Sequence, residues 1–171
     1  MKTLIIRSKT HGTHEMYYDD EDALIVEAHT WGILKDPRKL TYYAKTHIKE
    51  KQKKDKTVLI HRLLYGLTDR SIQIDHINHN GLDNRRENLR LCNNTQNTQH
   101  THSHRGSFSQ YKGVWFDKRS KQSLSFWVAE IKINRKKISL GYFKTERDAA
   151  FAYNKAALEY FGEFAFLNDV S

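Results

Sequence analysis

Residues 100–110 (HTHSHRGSFSQ) carry no apolar periodicity, and their Ser, Gly and His content reads as a linker. A break there divides 171 residues into two pieces, so the chain is expected to build two modest cores rather than one. Neither half is large enough to enclose a big pocket. We place a first domain at residues 1–100, a linker at 101–110 and a second domain at 111–168. Cys92 is the only cysteine, which excludes a disulfide framework and the cysteine-rich zinc modules. No apolar run approaches the roughly 20 residues of a membrane helix, and the start MKTLIIRSKTHG has too short an apolar stretch for a signal peptide. A soluble protein of the cytoplasm is the expectation.

Charge narrows the class of partner. Lys and Arg number 29 against 20 Asp and Glu, a formal net charge of +9, which favours a polyanion such as nucleic acid. The excess is unevenly placed: residues 111–144 hold nine basic side chains and two acidic, whereas residues 145–171 hold two basic and five acidic.

The order of elements beyond the linker explains that division. Strands are expected at Val114 to Phe116, Phe126 to Ile133 and Lys137 to Tyr142, followed by a helix. Thr145 with Asp148 resembles a capping box, Ala149, Tyr153, Ala156 and Tyr160 recur at helical spacing, and Gly162 ends the run. Three antiparallel strands backed by one helix follow. The helix covers one sheet face, leaving the other to carry Lys and Arg to a DNA groove. Trp127, alternating with Ala129 and Ile131, belongs to the core.

The first half is less regular. Short strands are expected at Thr3 to Ile6, Met16 to Tyr18 and Leu40 to His47. Asp19 to Asp22 reads either as an acidic helix start or as a solvated turn, and residues 49–56 (KEKQKKDK) as an exposed loop. From Ser71 to Gln99 the composition turns abruptly to Asp, Asn, His and Gln, with one short strand, Ile72 to Ile74, running into Asp75 and His76. Cutting a phosphodiester needs a base, a divalent cation and ligands for that cation in a small space. The turn-rich run Ile77 to Gly81 lets Asp75 face a metal while His76, with an unperturbed pKa of about 6.5, takes a proton from water.

The assembly DHINHNGLDNRRENLRLCNNTQN, Asp75 to Asn97, resembles the HNH endonucleases, in particular phage intron-encoded nicking homing enzymes. The resemblance implies an α+β architecture with a ββα-metal core over about residues 60–100, built round one divalent cation, Mg2+ or Mn2+. By that resemblance Asp75 and Asn97 are metal ligands, with Asn93 and Asn94 as rival amides. His76 is the general base, and Asn88 holds the loop and orients the histidine. Arg85, Arg86 and Arg90 flank the motif as candidates for phosphate contact; His61 and Arg62 either approach a phosphate or support the hairpin. Cys92 packs in the small core. His100, His102 and His104 alternate as metal ligands do, although a solvated string suits a polar linker better.

The second half resembles the ethylene-response-factor (Apetala-two) DNA-binding domain through Tyr111 to Val114, Trp127 to Ile131, Leu140 to Phe143, Ala149 to Ala157 and the ending Phe161-Gly162 to Leu167-Asn168. That likeness implies a three-stranded sheet in the major groove, with Lys112, Trp115, Lys118, Arg119, Lys132 and Lys137 facing double-stranded DNA. Lys112 stands where such domains often have Arg, which removes a bidentate fork. The expectation is a monomeric, metal-dependent, strand-nicking endonuclease; its rivals are a DNA-binding regulator with an inactive core and an RNA-binding protein.

Overall fold

Alternating apolar residues in Lys2–Ser8 (β1) and Gly12–Tyr18 (β2) pair antiparallel from Lys2↔Tyr18 to Ser8↔Gly12, which turns Ile6, Met16 and Tyr18 to the interior. A short helix, Ala23–Glu27 (α1), follows, and then strands Gly32–Asp36 (β3), Thr41–Ile48 (β4) and Lys56–Leu59 (β5) form an antiparallel sheet in the order β3-β4-β5. Ile60–Leu64 (α2) leads to a second hairpin, Gln73–His76 (β6) and Leu89–Cys92 (β7), and then to Asn94–Gln99 (α3). Met16, Val26, Ala44 and Ile60 are fully buried in one apolar cluster with Trp31 and Leu64. Burying a side chain of this size contributes about 1.5–3 kcal/mol. The polar end of Trp31 is satisfied inside that cluster, Nε1 donating to the Val26 carbonyl at 2.8 Å.

The computed structural model describes residues 1–37, 41–49, 55–102, 108–117 and 126–171. These fall into two compact units, Met1–Asn97 and Thr98–Ser171. The division comes ahead of the expected linker, and the linker's described residues belong to the second unit. Ser109 is buried, its Oγ donating to Glu146 Oε1 at 2.6 Å. His100 is buried too, against the expectation of a solvated string, whereas His102 is exposed with its ring packed edge-on against Phe166 at 4.8 Å. His104, Lys118 and Arg119 lie outside the described residues.

In the second unit Val114–Asp117 (β8), Phe126–Ile133 (β9) and Lys136–Phe143 (β10) make an antiparallel sheet in the order β10-β9-β8. Asn134 and Arg135, at φ 48 and 67, form the two-residue turn that joins β9 to β10 with the twist a hairpin favours. Glu146–Phe161 (α4) covers one face, starting at Thr145, whose side chain accepts from the Asp148 amide at 3.1 Å. Its buried stripe is mostly alanine, Ala149, Ala150, Ala156 and Ala157, with Tyr153 among them. The approach is close: a Cβ on Gly113 would lie 2.1 Å from the Tyr153 ring. Trp127 packs into this side, as its alternation with Ala129 requires.

The acidic run Asp19–Asp22 is a helix start, Asp20–Asp22 forming a 3-10 turn that runs directly into α1 without a side-chain cap. Asp22 is 1% exposed and makes no cap; its carboxylate instead holds Arg86, with Nη2 to Oδ1 at 2.6 Å. Strands β3 and β5, not expected from the sequence, flank β4, whose inward Ala44 and Thr46 gave the stronger pattern. The architecture is α+β, with four small sheets among the described residues.

Candidate active site

Hairpin β6/β7 sets the geometry. Its register opposes Asp75 to Arg90 and His76 to Leu89, and alternation along β6 sends Asp75 and His76 to opposite faces. The loop between the strands is laced by its own amides. Asn88 is the centre of that lacing: Oδ1 accepts from the Asn78 amide at 3.0 Å, Nδ2 donates to the Asp83 carbonyl at 2.7 Å, and its carbonyl accepts from Ile77 N at 2.9 Å. Asn78 Nδ2 donates to Asp83 Oδ2 at 2.7 Å. The loop is then stitched to β2, Tyr17 N donating to Leu82 O at 2.9 Å and Asn84 N to Tyr17 O at 2.8 Å.

That stitching delivers Asn84, which the sequence reading missed, to the histidine. Asn84 is fully buried, and its Oδ1 lies 3.3 Å from His76 Nε2. His76, 5% exposed, also meets His61 of α2 edge to face at 5.0 Å and the Tyr43 ring at 5.7 Å. Burial, then the carboxylates of Asp36 and Asp75, push the Tyr43 phenol up to about 12, so it stays protonated at neutral pH. Gly81 is required here, since a Cβ would come within 2.5 Å of the Tyr43 ring and the Tyr42 carbonyl. A longer residue at 81 would push on the ring that lies against His76.

On the other face, Arg90 donates to Asp75 Oδ2 from Nε at 3.0 Å and Nη2 at 2.8 Å. Gln73 shares that face with Asp75 by alternation, and its Oε1 accepts from Asn97 Nδ2. Asp75 and Asn97 are thus brought to one side of the hairpin through Gln73. Among the described residues no group of three or more His, Cys, Asp and Glu is arranged to hold a metal ion. A carboxylate with a carboxamide oxygen is nevertheless the hard donor chemistry that Mg2+ or Mn2+ takes when water and phosphate complete its shell.

The flanking arginines are engaged internally. Arg85 forks onto Asp83, with Nε to Oδ1 at 2.8 Å and Nη2 to Oδ2 at 2.7 Å, and reaches Glu87 at 2.6 Å. Arg85 holds the Asp83 carboxyl below the usual carboxylate range. Arg86 is held by Asp22 and Glu21, and Arg90 by Asp75. Arg62 donates to the carbonyls of Leu67, Asp69 and Ile72, stapling the loop before β6. Arg85's partners are two residues away, but Asp22 for Arg86 and Asp75 for Arg90 are remote in sequence, and no local pattern announces those two.

In the second unit, Trp115, Lys132 and Lys137 share the sheet face opposite α4, because Trp115↔Val128 and Lys137↔Lys132 are register partners. Lys137 also reaches Glu130 at 2.8 Å. Lys112 is placed otherwise. Its ammonium donates to the carbonyls of Gln99 at 2.6 Å, Thr101 at 2.8 Å and Thr98 at 3.3 Å and lies over the Phe166 ring, so it holds the chain's own backbone.

Residues 56–99 match the family model described as HNH endonuclease. The match takes in β5, α2, both strands of the hairpin and α3, and so all the residues around His76 on the hairpin side. The chain is also 34% identical over 116 residues to a protein named as an uncharacterized HNH endonuclease from Acanthamoeba polyphaga mimivirus, an alignment covering 65% of this chain and 57% of that protein. The chain thus spans little more than half of that relative's length. No solved structure matches. Both findings support an HNH nuclease segment. Among the described residues, no helix is long and apolar enough to cross a membrane.

Proposed function

We propose that the chain is a metal-dependent DNA endonuclease of the HNH type. The observation that carries this is His76, fixed between Asn84, His61 and Tyr43 at the end of the hairpin strand that also carries Asp75. With Nε2 donating to Asn84 Oδ1, the imidazole lone pair resides on Nδ1, making Nδ1 the atom that takes a proton from the attacking water. Asn88 braces the loop on which this orientation depends. Asp75 and Asn97 would hold one divalent cation, Mg2+ or Mn2+. Such a cation supplies stabilisation for the charge on the pentacovalent phosphorus and the leaving oxygen. One such centre per chain favours nicking by a monomer.

The second unit would bind duplex DNA with its open sheet face, using Trp115, Lys132 and Lys137 in the manner of an ethylene-response-factor domain. Carrying DNA to the nuclease is then its role, and removing residues 106 to 171 is expected to weaken binding more than hydrolysis.

The test is supercoiled-plasmid cleavage by wild type and His76→Ala with Mg2+, Mn2+ or EDTA. Metal-dependent nicking that the substitution abolishes supports the reading. One feature favours the rival regulator: Arg90 already holds Asp75. Tight DNA binding with no cleavage in any metal would decide for it.

A further inference from the structure

Around the site, the described cations of the first unit are either engaged internally or, at two positions, face solvent. Arg62, Arg85, Arg86 and Arg90 all carry internal partners. Lys56, the first residue of β5, and Arg70, in the loop that Arg62 staples, are exposed and have no ion pair among the described residues. Both line a cleft of about 590 Å³, within the range of about 300–1,000 Å³ that binding clefts occupy.

The walls of this cleft lead to both halves of the site. Tyr43 and His61, whose rings lie against His76, form part of it, and so do Gln73 and Asn97, which lie on the Asp75 face. Among the described residues Asp36 is the one carboxylate in the lining, set against Lys56, Arg62 and Arg70. Arg62 binds three carbonyls of residues 67–72, so Arg70 is presented from a braced loop.

We propose that this cleft holds the sugar-phosphate backbone of a DNA strand, with Lys56 and Arg70 contacting its phosphates. The proposal rests on the nuclease reading for its ligand and replaces Arg85, Arg86 and Arg90 as the phosphate contacts beside the hairpin. Contacts of this kind position the strand and carry no base information. They show in the salt dependence of binding, whose log–log slope steepens by about 0.9 for each phosphate neutralised.

The experiment measures binding of a fluorescent duplex oligonucleotide to the full chain across a salt series in EDTA, for wild type, Lys56→Gln, Arg70→Gln, the double variant and Lys9→Gln as an exposed control. Loss of about one unit of slope in each cleft variant and about two in the double, with Lys9→Gln unchanged and Arg70→Lys restoring the slope, is the expected result. A double variant with the wild-type slope and thermal midpoint overturns the proposal. Plasmid nicking by the same proteins in Mn2+ separates the two readings: a wild type that loses slope on substitution yet never nicks refutes the nuclease and keeps the cleft as a DNA site.

Discussion

His61 meets His76 edge to face, ring centroids 5.0 Å apart and planes at 85°. Helix α2, upstream of the hairpin, therefore supports the candidate base itself, although the sequence offered His61 no clear role. An aromatic pair of this kind contributes about 0.5–1.5 kcal/mol. His61→Ala is expected to slow nicking about three- to tenfold at saturating plasmid, while His61→Phe, which retains an edge-on ring, stays within about twofold. If Phe proves as slow as Ala, the ring nitrogens matter and the packing argument is wrong.

Asn84 gives a sharper readout. Its Oδ1 faces His76 Nε2 at 3.3 Å, and its Nδ2 is buried with no hydrogen-bond partner among the described residues. Asn84→Asp places a carboxylate against the imidazole and removes the unsatisfied amide. An opposite charge at that distance raises the histidine pKa. The acid limb of the kcat/KM against pH profile is expected to move up by about one unit, with KM little changed; an unmoved limb would remove Asn84 from the histidine's environment in solution.

How much of this was legible in the sequence depended on range. Strand β9 was expected at the residues where it lies, and α4 with its Thr145 cap and Gly162 stop, because alternation and helical spacing are written over consecutive residues. Asp75, His76, Asn88 and Asn97 were legible as one contiguous motif. Asn84 and Tyr43 were not, since their contacts arise only when β2 and β4 pack against the loop. The ion pair of Arg86 was hidden for the same reason: a guanidinium beside a motif looks available until its carboxylate arrives from elsewhere, as Asp22 does here. Lys112 shows the converse, its acceptors being backbone carbonyls that no residue type predicts.

Arg90 and Asp75 form a buried pair, side chains 12% and 7% exposed. Removing one partner of such a pair costs about 3–5 kcal/mol because the remaining charge is stranded, whereas replacing both by apolar groups is far milder. Arg90→Met is therefore expected to lower the urea midpoint of the full chain in EDTA, and Arg90→Met with Asp75→Leu to recover most of the loss. Equal loss in single and double variants would show that packing, not the stranded carboxylate, sets the cost.

The last prediction concerns pH and the second unit. Burial pushes the Lys112 ammonium down to about 8 from an ordinary 10.5. Below about pH 8 both folded and unfolded chains carry this proton and the folded state bears the cost of burying the charge. Between 8 and 10.5 the unfolded chain binds more protons, so stability rises with pH in that window. His102, lowered by burial and then by His100 and Lys112, is already neutral there. Tyr153 acts in the opposite sense: burial raises its phenol above the ordinary 10.0, so its contribution is present below that value and is lost as pH climbs through the folded one. Stability should therefore climb from about pH 8 and turn down above about pH 10. Urea unfolding followed by tryptophan fluorescence in a Trp31→Phe background reports this from Trp115 and Trp127. Lys112→Met is expected to lower the whole curve, since three carbonyls lose their donor, and to abolish the rise while leaving the decline. A rise that survives Lys112→Met would place the titrating group elsewhere.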